Sequence, residues 1–224
     1  MGPLLFILLL GALFAGYSEE AASVFIPHMS IGLIVWTLIG GYMGRGPNTF
    51  QTHRANLLLE KARHTDVLFL ENAQLFIHFM HQSVIIIGVC LIYGTLTSPY
   101  ALVAFLGLFL IVINGYWMTF VFGLIGSRFK DFGEVMSSIA RLSFFATPII
   151  WRPRDTPGGS KGIFQIYMDF NPFFHFVEIV RAPLTGREIA PLTWYVVGAI
   201  TVIGYILASL LYARYKHLIV FWVQ

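Results

Sequence analysis

Long apolar runs separated by short polar stretches set the pattern of this chain. Six runs stand out, over residues 2–17, 26–43, 75–94, 101–126, 132–151 and 192–213. A helix rises about 1.5 Å per residue, so about 20 apolar residues cross the hydrocarbon core of a bilayer. The first run is short, at the lower limit for a span. Its other reading is a signal-peptide core, but no Lys or Arg precedes it and Phe14-Ala15-Gly16 is a poor cleavage site. The pattern predicts an all-α integral membrane protein with six transmembrane helices.

The polar interruptions carry more information than the spans. Gly44-Arg45-Gly46-Pro47-Asn48 is turn chemistry. Residues 49–63 then predict a short amphipathic helix, with Leu57, Leu58 and Leu59 beside Arg54, Glu60, Lys61 and Arg63. It suits either a helix lying on anionic lipid or a docking helix for a cytoplasmic partner. Between the fourth and fifth runs, Arg128, Lys130 and Asp131 sit in a hairpin with almost no loop. There the two cations follow a helix C-terminus, where they complement its dipole.

The third interruption covers residues 163–190. Asn171-Pro172 predicts a helix start, with Asn at the N-cap and Pro at the first helical position. The helix runs over residues 173–182, and Pro183 and Gly186 are expected to end it. About 10 residues reach roughly 15 Å, half a bilayer. Such a segment cannot span. It predicts a re-entrant helical hairpin before the last span, which is tolerated only where protein or a water-filled cavity satisfies its ends. An interfacial helix lying flat is the alternative. Glu178 and Arg181 are three apart, a spacing at which they pair on a helix surface.

Composition agrees with the apolar pattern. Hydrophobic residues make up 57% and charged residues 11%, whereas a soluble domain carries roughly 25% charge. The formal net charge is +3. These cations sit between apolar runs, which points to membrane topology rather than to nucleic acid. Arg45, Arg54, Lys61 and Arg63 lie between runs two and three, Arg128 and Lys130 between four and five, and Arg214 and Lys216 after six. Residues 18–25 and 95–100 contain no Lys or Arg. The positive-inside rule therefore puts both termini in the cytoplasm. The longer stretch 152–191 runs against it, with Arg152, Arg154, Lys161, Arg181 and Arg187. The single cysteine, Cys90, rules out a disulfide framework within the chain.

Few groups inside the spans carry chemistry. Arg141 lies in the middle of the fifth run, and a buried arginine costs several kcal/mol unless it faces a cavity or a partner. His78 and His81 have helical spacing but lack an evident third ligand, so no metal is assigned. The sequence contains no phosphate-binding P-loop, no Gly-x-Ser-x-Gly and no His-Glu-x-x-His. The chain is expected not to be an enzyme, and active transport would draw its energy from another subunit.

Several segments together carry a resemblance. They are Arg128-Phe129-Lys130-Asp131, then Phe144-Phe145-Ala146-Thr147-Pro148-Ile149-Ile150-Trp151, then the stretch from Asn171-Pro172 through Glu178-Ile179-Val180-Arg181-Ala182-Pro183-Leu184, and the tail Ala213-Arg214-Tyr215-Lys216-His217 with Phe221-Trp222. In order and spacing the chain resembles the permease subunits of type-2 ABC exporters for bacterial surface polysaccharide, such as O-antigen, capsule or teichoic acid. The resemblance is dense from about residue 94 onward and looser before it.

That resemblance implies one permease domain over residues 1–224, in the bacterial inner membrane. Two copies would form a pore on a two-fold axis. Two ATP-binding cassette subunits would bind below, holding the ATP and Mg that this chain does not. The substrate would be a lipid-linked polysaccharide. Residues 49–63 would be the coupling helix, with Arg54, Leu58, Lys61 and Arg63 docking on the ATPase. Asn171, Pro172, Glu178, Arg181 and Pro183 would belong to a re-entrant gate at the outer face. Trp36, Tyr116, Trp117, Phe144, Phe145, Trp151 and Phe174 are channel-lining candidates, since aromatic faces stack on sugars much as they do on bases. For each of them a lipid-facing or belt position is the alternative. Arg141 would suit a lipid-linked pyrophosphate.

Members of this family begin with an amphipathic cytoplasmic helix before the first span, and the sequence, which starts at or inside that span, is expected to lack it. Two other functions stay open. One is drug or lipid export by a related permease. The other is a membrane-embedded enzyme of glycolipid assembly, for which Glu71, Glu134, His78 and His81 are too scattered along the sequence to form a convincing site.

Overall fold

The computed structural model describes residues 4–9, 19–59, 63–96, 99–151 and 161–223. All regular structure among the described residues is helical. Residues 4–9 are helical, and they are the described part of the first predicted span. The elements that follow are α1 (Glu19–Arg45), a 3-10 turn at Gly46–Asn48, α2 (Thr49–Thr52), α3 (Arg54–Leu58) and α4 (His64–Ile92). After a second 3-10 turn at Pro99–Leu102 come α5 (Val103–Arg128), α6 (Phe132–Ala146), α7 (Lys161–Phe170), α8 (Pro172–Leu184), α9 (Pro191–Tyr215) and α10 (Ile219–Val223).

Four helical stretches are long and apolar enough to cross a membrane: Ala22–Thr52, His64–Ile92, Pro99–Arg128 and Pro191–Tyr215. They correspond to the second, third, fourth and sixth predicted spans. Their surroundings differ. In Ala22–Thr52, 78% of the most apolar window is buried within the protein, against 17% for Pro191–Tyr215. The first is thus a core helix, and the last presents most of its surface outward.

The fifth predicted span, 132–151, is helical only in α6, whose 15 residues reach about 22 Å. Thr147 precedes Pro148, and a residue before proline is pushed out of the helical region. The backbone bends through 147–150 instead, and Ile149 N–H donates to the Thr147 carbonyl at 2.7 Å.

By its contacts the chain divides into two compact units. Unit 1 comprises Met1–Thr37, Phe79–Leu108 and Ser143–Val197, and unit 2 comprises Leu38–His78, Phe109–Leu142 and Gly198–Gln224.

In unit 1, α8 is buried along its whole second half, from His175 to Pro183. Its start follows the Asn-Pro signal: the Asn171 side-chain oxygen accepts from the N–H groups of Phe173 and Phe174 at 3.0 and 3.4 Å. Its end does not. Pro183 lies inside the helix, which closes at Leu184. Gly186 has φ +70°, Gly186 N–H donates to the Pro183 carbonyl at 3.3 Å, and Arg187 N–H to Ala182 at 2.9 Å. That pair of bonds with a left-handed glycine is a Schellman stop. Proline is tolerated one turn earlier because it only removes a donor to the carbonyl of Ile179. That carbonyl faces α5 at Gly107, where an added Cβ would lie 2.6 Å from it. Only glycine allows the two helices to approach so closely.

In unit 2, the 3-10 turn and α2 pack on α5. A Cβ at Gly126 would collide with the Pro47 carbonyl. Phe50 is fully buried in a cluster with Leu57, Val67, Phe120, Leu124 and Ile219. The amphipathic helix predicted over 49–63 is two short helices, α2 and α3, broken at His53. Phe50 anchors the first in this core and Leu57 the second. His53, between them, turns its ring to Glu71 of α4 at 3.4 Å.

Candidate functional site

Among the described residues, a heavily charged buried site lies in unit 1, on α8. Arg181 is 1% exposed and Glu178 7%. The sequence places them one turn apart, and the helix turns both side chains to the same face. Arg181 donates from Nε and Nη2 to Glu178 Oε2, at 2.9 and 2.7 Å. The other carboxylate oxygen pairs with Arg187 Nη2 at 2.8 Å. Arg187 arrives there because the Schellman turn folds the chain back just beyond α8.

Arg181 Nη1 reaches further along the chain. It donates to the Pro148 carbonyl at 2.7 Å and lies 3.1 Å from His28 Nε2 on α1. An arginine can only donate, so His28 Nε2 is the acceptor and the ring is neutral, with its proton on Nδ1. One guanidinium therefore holds α1, α8 and the bend after α6. Burial alone would push the Glu178 carboxyl up. The charges of Arg181 and Arg187 and their hydrogen bonds outweigh it, and the carboxyl sits below its usual range.

His175 sits on the same helix and is 1% exposed. Its Nε2 is 3.0 Å from the Asp169 carbonyl and its Nδ1 3.0 Å from the Thr193 hydroxyl. A carbonyl can only accept, so Nε2 carries the proton and, in a neutral ring, Thr193 donates to Nδ1. This ties α8 to the end of α7 and the start of α9.

Beside the charged group lies an aromatic one. Trp36 is buried, with its ring 5.5 Å from Phe173 and 6.0 Å from Phe144. Phe144 and Phe145 are 5.2 Å apart. Trp151 Nε1 donates to the Phe145 carbonyl at 3.1 Å. A cavity of ≈ 250 Å³ opens nearby, lined by Ser143, Tyr167, Phe170, Asn171 and Phe173. Four channel candidates, Trp36, Phe144, Phe145 and Trp151, thus come together at the start of α8. Phe174 follows Phe173 on α8, and its ring packs at 5.4 Å on His175.

The remaining sequence candidates lie in unit 2. Trp117 Nε1 donates to Asn114 Oδ1 at 2.7 Å, and Asn114 Nδ2 donates to Thr201 of α9 at 2.7 Å. Tyr205 of α9 donates to the Ile113 carbonyl at 2.9 Å. Trp117 therefore belongs to a polar clamp between α5 and α9, and Tyr116 neighbours it on α5. Arg141 is exposed on α6, with Nη2 donating to Ser138 Oγ at 3.1 Å. Arg128 lies over the Phe129 ring at 5.5 Å, and Lys130 and Asp131 form the exposed turn before α6. Arg54 and Arg63 are exposed and Leu58 half-buried. Lys61 lies outside the described residues. Sequence reasoning missed His28, Pro148, Phe173 and Arg187 as partners. Only Arg187 carried a signal, as a cation one residue beyond the glycine stop.

A helical chain with four apolar spans and a short, charged helix buried within one unit defines a multi-pass membrane protein. The chain belongs to the ABC-2 type transporter family, whose model matches residues 1–185, and it is accordingly a membrane transport subunit. No curated protein shows significant sequence similarity to it.

Proposed function

We propose that this chain is the permease subunit of an ATP-driven exporter that moves a lipid-linked polysaccharide, of O-antigen or capsule type, across the bacterial inner membrane. Two copies enclose the conduit, and two ATP-binding cassette subunits drive it from the cytoplasmic side. Six spans place both termini in the cytoplasm, with residues 4–9 in the first and α6 in the fifth. The α7–α8 pair forms a re-entrant hairpin at the outer face.

The observation that carries this reading is α8. Its 13 residues reach about 20 Å, too short to cross the ~30 Å hydrocarbon core. Yet its second half is buried and carries an ion pair. A short helix of that kind survives at membrane depth only where protein satisfies its polar ends. Here Asn171 and the Schellman turn do so, and Arg181 pairs the buried Glu178. The aromatic group at the start of α8 supplies faces suited to a sliding sugar polymer, and Arg141, exposed on α6, would meet the pyrophosphate of the lipid carrier.

The test is loss of the gene in its host. Lipid-linked polymer should accumulate inside the cell and surface polysaccharide should disappear. Copurification should recover two copies of the chain with an ATPase. Intact surface polysaccharide, with altered drug efflux or lipid distribution instead, would favour the related drug or lipid exporter.

A further inference from the structure

A second buried charge, in unit 2, is not accounted for by the gate or the conduit. Glu71 is the eighth residue of α4, within a stretch long and apolar enough to span a membrane. Its side chain is 2% exposed. Oε1 lies 2.7 Å from Arg45 Nε, and Oε2 lies 3.4 Å from His53 Nε2. Arg45 is fixed in turn by donating from Nη2 to Gln74 Oε1 at 2.8 Å, one turn further along α4.

The three residues occupy informative positions. Arg45 is the last residue of α1, and His53 is the junction between α2 and α3. One carboxylate therefore touches the start of the connection that leaves α1 and the junction in its middle, and it does so from inside α4. Helices of four and five residues have almost no intrinsic stability. Their position depends on tertiary holds, which here are Phe50 and Leu57 in the apolar cluster and His53 on Glu71. The apolar holds are non-directional, whereas the buried carboxylate brings Arg45 and His53 to one point on α4.

We propose that Glu71 is a positioning residue for force transmission: through His53 and Arg45 it locks the α2–α3 segment to α4, so that displacement of that segment moves the span. The lock itself is a property of this chain. Its use in transport rests on the export reading, in which the α2–α3 segment receives the ATPase.

Two measurements separate these levels. Hydrogen exchange on the full purified chain reads the lock directly. In Glu71→Gln and in His53→Ala, amides of residues 49–58 should exchange about tenfold faster or more, while those of α8 are unchanged. The double variant should be no worse than Glu71→Gln alone, because the His53 contact is already lost in that variant. Unchanged exchange at 49–58, equal acceleration in α8, or effects that multiply in the double variant would overturn the lock.

In proteoliposomes with the partner ATPase, both variants should still assemble and hydrolyse ATP. Polymer moved per ATP should fall about tenfold, a loss of about 1.4 kcal/mol in coupling. An unchanged ratio would overturn the transmission role. If the unsubstituted chain neither binds an ATPase nor moves polymer, the export reading fails, and the exchange result still decides the lock.

Discussion

Arg181 has more to lose than any other side chain in unit 1. Removing one partner of a buried pair leaves the other charge uncompensated, at a cost of about 3–5 kcal/mol. Arg181→Ala should therefore lower stability by that order, measured by thermal unfolding in detergent. Arg181→Lys should recover only part, because an ammonium cannot reach Glu178, Pro148 and His28 from one plane. Replacing Arg181 and Glu178 together by apolar residues of similar size should cost less than Arg181→Ala alone. Glu178 gives a pH signature, since its carboxyl is held below the ordinary range. A depressed carboxyl contributes stability above its unfolded pKa, near 4.3, and loses it as pH falls through the folded value. The stability gap between the native chain and Glu178→Gln should be flat above about pH 5 and shrink below about pH 4. The i, i+3 spacing made the Glu178–Arg181 pair legible in the sequence. His28 and Pro148 were not, because they lie 153 and 33 positions from Arg181 and no local pattern encodes such contacts.

At the scale of elements, local signals did well at starts and less well at ends. Asn171-Pro172 gave the start of α8 because capping is a short-range hydrogen bond. Pro183 was expected to stop the helix, but a proline in the last turn costs a single bond, and Gly186 with its positive φ supplies the stop. The helix over 49–63 was read as continuous from its leucines. The backbone leaves helical geometry at His53, with φ −102° and ψ 20°, where its ring faces Glu71 of α4, and the amphipathic pattern does not reveal this. The truncated α6 has a visible cause in Thr147-Pro148, outweighed in the sequence by the apolar residues on either side. Glycine positions test the packing. Gly126→Val should cost about 1–3 kcal/mol or more, since a side chain there meets the Pro47 carbonyl. Gly88→Ala, with nothing within 4 Å of an added Cβ, should be neutral or stabilising by up to about 1 kcal/mol. Thermal unfolding of the two variants side by side checks both.

For the molecule as a whole, composition and apolar runs made the membrane class and four spans plain. The orientation expected from loop charge is testable. In a chain carrying Cys90→Ser, Arg54→Cys should react with an impermeant maleimide only in inverted membranes, and Glu188→Cys only from the outside. The reverse pattern would invert the topology.

The reach of Arg181 also bears on descent. A guanidinium bound to two other side chains and a distant carbonyl makes those positions a single unit of inheritance. Among chains that keep an arginine here, an acid one turn earlier and an acceptor in the place of His28 should persist with it. Position 148, held through its main chain, can drift in residue type wherever the bend survives.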